Sequence, residues 1–251
     1  MNKPSVAVTR IVNSSVLLEL DGHAILTDPW FTERWWLRRG EPLGMQPEDL
    51  PPLTAIVVTN LATNHWDLRG LRHLPAKDTT PLYVPTPAMA RRAKAQGFQR
   101  AEHLGWGQTR DIARQISMRV VPSGKTLIWP NNAYAFETPS GRVFFGGEIA
   151  EVTPLERYRV DQPPADVTLL PVNGLRPLFG PRLVMGPHQA VAGAIALGAR
   201  VLVPVHDAHG HDPLSRLFRT TGTAADTSRL AGPDLLVNDL PTGKRWEYSP
   251  S

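Results

Sequence analysis

Residues 59–67 read "TNLATNHWD". The stretch leaves an apolar run, Ala55-Ile56-Val57-Val58, with the length and composition of a buried strand. It enters Leu68–Leu74, where the pattern predicts a short helix with Asp67 at its N-cap. A strand running into a polar loop is a common place to build a site. This loop offers two asparagines, two threonines, one histidine and one aspartate. It has the layout of a metal-binding loop from which most of the ligands are gone.

Upstream, "SVLLEL" (15–20) and "HAILTD" (23–28) flank Asp21-Gly22, a strong hairpin signal. Downstream, "PLYVP" (81–85) reads as a strand. "TPAMARRAKAQG" (86–97) reads as a helix with Thr86 at its cap, Pro87 at its first position and Gly97 past its end. Residues 101–121 suggest strands broken by a turn near Gly105–Gly107, and "AYAFETPSGRVFFGGE" (133–148) suggests a second hairpin. "DVTLLPV" (166–172) and "RVLVPVH" (200–206) are buried strands on either side of a helix, "GPHQAVAGAIALGA" (186–199). The tail, "DLLVNDLPTGKRWEY" (234–248), reads as a short hairpin. No repeat and no linker divides the chain, so a single domain over 1–251 is expected. Buried strands terminate around positions 28, 59–60, 148, 172–173 and 206, which predicts two facing sheets with helices outside and one polar rim.

Composition narrows the chemistry. The 251 residues are ample for a sizeable core, and 41% hydrophobic with 20% charged residues is ordinary for a soluble globular protein. There is no cysteine, which excludes disulfides, thiolate metal sites and a Cys nucleophile. The net charge of +4 is spread along the chain, with concentrations at "ERWWLRRG" (33–40) and "ARRAKAQ" (90–96) that read as solvated surface. No nucleic-acid module, Gly-x-Ser-x-Gly elbow or phosphate-cradling Gly-rich loop is present. The first residues lack the apolar run of a signal peptide, and no segment approaches the roughly 18 apolar residues of a membrane span. A cytoplasmic location without nucleic-acid partners is expected.

Five segments together resemble the metallo-β-lactamase fold: "NSSVLLELDGHAILTDPWF" (13–31), "TNLATNHWD", "VVPSGK" (120–125), "GRVFFGGE" (141–148) and "GARVLVPVH" (198–206). They occur in the family's order. The resemblance is nearest to the branch around L-ascorbate-6-phosphate lactonase and the N-acyl-phosphatidylethanolamine phospholipase D-like hydrolases. It implies a four-layer αββα sandwich. In that family the second segment reads Ser/Thr-His-x-His-x-Asp-His-x-Asp. Here Asn60 replaces the first histidine, Ala62 the second and Asn64 the aspartate, whereas His65 is retained. Lys125 stands for the third histidine, Glu148 for the bridging aspartate, and His206 is retained. Asn13 stands where the branch often has a histidine.

The resemblance therefore implies an empty first metal site. Neither an alanine nor a protonated lysine can ligate. His65, Glu148 and His206 remain as a His₂-carboxylate set, a legitimate mononuclear zinc set. Two readings stay open. One is an enzyme with a remodelled pocket, with no cofactor or a single zinc or other divalent ion. It would do hydrolysis or acid/base chemistry on a small or acidic substrate through His65, Glu148, His206 and Lys125. The other is a catalytically silent relative that binds a ligand or a protein. Lys125 is expected to pair with Glu148 and stand in for the missing metal. Asn60, Asn64 and His188 are candidate substrate contacts. Asp28 and Asp67 are candidate supports behind the site. In "WFTERWWLRR" (30–39), Trp35 and Trp36 read as a lid or as a homo-oligomer contact. His209 and His211, in "HDAHGHD" (206–212), suggest a weaker relocated cluster.

Overall fold

The structure is a computed structural model that describes residues 5–126, 129–207 and 212–248. The chain opens with β1 (Val6–Val12), β2 (Ser15–Leu20), β3 (His23–Thr27), β4 (Leu53–Val57), β5 (Leu82–Val84) and β6 (Ala101–His103). These six join β16 (Arg245–Tyr248) in a seven-stranded sheet of order β16-β1-β2-β3-β4-β5-β6. The second sheet is built from β7 (Thr109–Ala113), β8 (Ile116–Thr126), β9 (Trp129–Thr138), β10 (Gly141–Phe145), β11 (Val167–Pro171), β13 (Val201–Val205) and β15 (Leu236–Val237). Its order is β15-β13-β11-β10-β9-β8-β7, and β12 (Arg176–Pro177) pairs separately with β14 (Phe218–Arg219). The helices are α1 (Pro87–Ala95), α2 (Thr153–Asp161), α3 (Pro187–Ala196) and α4 (Ala224–Leu230).

The apolar pattern explains the four layers. Side chains alternate faces along a strand. In β2, β3 and β4, Val16, Leu18, Ile25, Ala55 and Val57 face the central core. Their neighbours Leu17, Leu26 and Ile56 face an outer core shared with Met89 and Ala93 of α1. The second sheet does the same. Phe136, Phe145, Leu169 and Val203 enter the central core, while Phe144, Leu170 and Leu202 pack with residues of α2, α3 and α4. A sheet covered on both faces reads as continuous apolar runs rather than alternation. The result is the expected αββα sandwich.

Parallel pairing positions the site. β3, β4 and β5 run parallel, as do β10, β11 and β13. Their carboxyl ends in both sheets lead to Asp28, Thr59, Glu148, Asn173 and His206. Bonds staple the two rims: Asn132 N donates to Thr59 O at 2.8 Å, and Tyr134 Oη donates to Val58 O at 2.7 Å.

The Asp21-Gly22 hairpin forms as expected, with both residues at positive φ (49° and 83°). α1 has its predicted Thr86 cap, which accepts from Met89 N at 3.2 Å. Three readings are corrected. Residues 68–74 form successive turns, not a helix. Gly70 packs closely within them: a Cβ there would lie 2.5 Å from Asp67 Oδ2 and 2.8 Å from Phe31 Cβ. The tail is not a hairpin: β15 joins β13 in one sheet and β16 joins β1 in the other. α2 was not expected at all, because it buries only Leu155 and its apolar periodicity is weak. Among the described residues no helix is long and apolar enough to cross a membrane.

Candidate metal centre

Asp28 follows β3 in the left-handed region, with φ 38°, a conformation that Asp tolerates better than most residues. Its carboxylate is fully buried. Thr59 donates to it twice, through N to Oδ1 and through Oγ1 to Oδ2, each at 2.7 Å. The chain then turns. Asn60 Oδ1 accepts from Ala62 N at 2.8 Å, an Asx turn. Ala62 O accepts from the backbone N of both His65 and Trp66 at 2.9 Å. This fold-back seats the His65 imidazole against Asp28, with Nδ1 2.7 Å from Oδ2.

The second sheet supplies the other two groups. After β10 the chain passes through Gly146-Gly147. Gly147 has φ 58°, and a Cβ there would lie 2.3 Å from Thr59 Cγ2, so only glycine lets this turn approach the first sheet. Glu148 follows, buried, with Oε1 3.0 Å from His65 Nε2 and 3.4 Å from His206 Nε2. His206 follows β13 at φ 59°, a costly backbone for a histidine. Its N–H donates to Asn13 O at 3.1 Å. Asn13, also left-handed at φ 55°, is held through its own N–H by Glu41 at 2.8 Å. The two imidazoles stack at 5.3 Å.

One ligand atom from each of His65, Glu148 and His206 lies within 4.8 Å of the others, all three residues buried. Burial works against a charged imidazole here. The Glu148 and Asp28 carboxylates on either side outweigh it and push His65 up to about 10. Burial also opposes ionisation of Glu148, but His65 and His206 hold it well below the usual carboxylate range. The contact between His65 Nε2 and Glu148 is at ion-pair distance but is not aligned as a hydrogen bond, so Nε2 is a buried ring nitrogen without an acceptor. A cation at the centre would displace the Nε2 proton; with Nδ1–H kept on Asp28, the Nε2 lone pair of His65 would then be the ligand. That is the arrangement of a histidine ligand oriented by a carboxylate. Two such rings and one carboxylate suit a single divalent cation.

The remaining expected residues separate from this centre to different degrees. The Lys125–Glu148 pair is not among the ion pairs of the described residues. Lys125 is exposed on β8, and Glu148 pairs with His65 and His206. Asn60 is buried with its amide engaged in its own loop, and Asn64 is half-buried. Asp67 acts as a brace. It accepts from Phe31 N at 2.9 Å, Thr32 N at 2.6 Å and Gly70 N at 2.9 Å. Trp35 is 76% exposed, whereas Trp36 is half-buried against the outer core. His188 is exposed at the start of α3 and borders a surface hollow with Thr221 and Asp226, apart from the three ligands. His209 and His211 lie outside the described residues. Thr59 was missed by sequence reasoning. Its clamp on Asp28 has no local signal beyond its place after a buried strand.

A family model described as a beta-lactamase superfamily domain matches residues 23–206. The chain belongs to this family. Uncharacterized proteins of Mycobacterium tuberculosis strain H37Rv and Mycobacterium bovis are each 29% identical to it over 220 residues. The match covers 80% of this chain, which spans 58% of the length of those relatives. Among solved structures, the isothiocyanate hydrolase from Delia radicum gut bacteria superimposes with a TM-score of 0.76 at 18% identity, covering 97% of this chain and 100% of that one. Igni18, a metallo hydrolase from Ignicoccus hospitalis, superimposes with 0.74 at 16% identity, covering 98% and 100%. CmlA, a diiron β-hydroxylase from Streptomyces venezuelae, gives 0.71 at 14% identity over 100% of this chain and 55% of that one. These likenesses establish the superfamily fold. They span hydrolases and a hydroxylase, so the fold alone does not fix the reaction.

Proposed function

We propose that this member of the superfamily is a hydrolase-like enzyme. It holds one divalent cation on His65, Glu148 and His206 and acts on a small-molecule substrate. The observation that supports this most is the convergence of three buried ligand atoms, one of them the unaligned Nε2 of His65. A bound cation of this kind supplies Lewis-acid polarisation and makes water acidic near neutral pH. The chain's own residues do the rest. Asp28 keeps the Nδ1 proton and orients the ring, with Thr59 holding Asp28 in turn. Glu148 contributes the negative charge. Half-buried Asn64 offers an uncharged polar group for substrate, and Trp35 with Trp36 is a candidate cover. The hydrolase neighbours support the reaction class, and the opening segment supports the lactonase-like branch. A second cation has no support, because Ala62 cannot ligate, the Asn60 amide is engaged and Lys125 is exposed.

One observation favours a second reading, a pocket that works or binds without metal. A protonated His65 between Asp28 and Glu148 offsets one of the two carboxylate charges without any cation. Elemental analysis decides between them, on protein purified without affinity-tag metal and reconstituted with zinc, manganese or iron. About one ion per chain is expected. Two ions would overturn the mononuclear reading, and none would transfer the site to the metal-free one.

A further inference from the structure

A second charged feature lies beside the 59–74 segment. Arg34, Arg69, Arg72 and Arg92 line one hollow of about 270 Å³ together with Trp66 and Asp67. These arginines come from three separate parts of the chain. None of the four takes part in an ion pair among the described residues. The lone carboxylate, Asp67, is engaged by Phe31, Thr32 and Gly70. Arg72 uses Nε on His73, at 2.8 Å. Arg92 stands 5.3 Å over the Trp66 ring, which fixes its plane. Trp66 carries a buried indole N–H without an acceptor. Four guanidiniums face a single carboxylate in this concavity, which leaves it net positive, and an anion relieves the repulsion among them.

We propose that this hollow binds a phosphate group, as the free ion or on a small phosphorylated molecule. Guanidinium forks match phosphate oxygens in pairs, and a dianion offers the compensation that four arginines need. The volume lies near the lower end of small-molecule sites, which begin at about 300 Å³, so it suits phosphate with a compact organic group. A nucleic-acid backbone would call for a basic stripe or a recognisable module, and these arginines instead surround a single hollow. Trp66 is the chain neighbour of His65, so an occupied hollow would hold the loop that carries the ligand histidine. The inference uses none of the three metal-centre side chains and stands independently of the proposed activity.

Calorimetric titration of the chelator-treated protein tests it, at ionic strength held constant with chloride. The probes are inorganic phosphate, glycerol 3-phosphate and a short single-stranded DNA. Saturable binding of phosphate or glycerol 3-phosphate is expected, weakened at least tenfold in Arg69→Gln/Arg92→Gln. Tighter binding of glycerol 3-phosphate assigns the hollow to a phosphorylated molecule, and tighter binding of phosphate assigns it to the free ion. Both arginines are exposed, so the variant should fold and lose no more than the Arg92–Trp66 ring contact. If it does not fold, Arg69→Gln alone serves. Three results would overturn the inference: no binding of either phosphate compound, equal binding by the variant, or DNA binding tighter than both with the same arginine dependence.

Discussion

Both oxygens of Asp28 are occupied, by Thr59 and by His65, and the carboxylate is closed to solvent. What Asp28 takes from Nδ1 decides what Nε2 can offer. We expect Asp28→Asn to lower zinc affinity about 10–100-fold, the usual cost of removing a carboxylate behind a histidine ligand. Competition against a chromogenic chelator measures this. Unchanged affinity would leave Asp28 a purely structural residue. His65, Glu148 and His206 were legible as a set because each ends or follows a buried strand in the family's order. The Lys125–Glu148 pair was not to be read there. Lys125 sits on a strand, and the outward direction of its side chain depends on how β8 lies in its sheet.

The aromatic loop shows how elements divide the labour within one motif. Trp30 and Phe31 are buried in the outer core, while the stretch after them is tied to residues 212–215. Asp212 accepts from Arg38 N at 3.0 Å and Ser215 N at 2.8 Å, and Leu214 N donates to Trp36 O at 3.0 Å. Burial of Asp212 opposes its charge, but the Arg38, Ser215 and Leu214 donors hold its carboxyl below the ordinary value of 3.8. A depressed pKa in the folded state contributes stability that is present above the unfolded value. It is lost as pH falls through the folded one. Asp212→Asn should therefore cost about 1–2 kcal/mol at pH 7, and the gap to wild type should shrink below pH 3.8. Urea unfolding at pH 7 and at pH 3 checks this; a gap independent of pH would remove the charged carboxylate from the account. The motif's residue types announced a packed aromatic loop. The tie to Asp212, 174 residues from Arg38, carried no local signal.

At the scale of the molecule, the candidate centre joins the two sheets. His65 comes from the loop after β4, whereas Glu148 and His206 follow strands of the second sheet. A cation there would tie the halves together, and binding only the folded state stabilises it by mass action. Returning zinc to chelated protein at a free concentration 100 times its Kd should add about 2.7 kcal/mol. The gain should vanish in His206→Ala. Chemical unfolding with and without zinc reads both, and an equal gain in the variant would place the bound metal elsewhere. The sequence by itself determined the β2–β3 hairpin with its Asp21-Gly22 turn, β4, β5, β10, β11, β13, the capped α1 and the layered architecture, and it singled out the three candidate ligands. Each of these rests on local periodicity, on turn chemistry or on ordered resemblance. Only the tertiary structure decided that Thr59 clamps Asp28, that the tail splits between two sheets, and that Arg34, Arg69, Arg72 and Arg92 surround one hollow. The reason is physical. Local sequence sets φ/ψ and face, but proximity between distant residues arises when two buried sheets pack and bring separate strand ends and loops together.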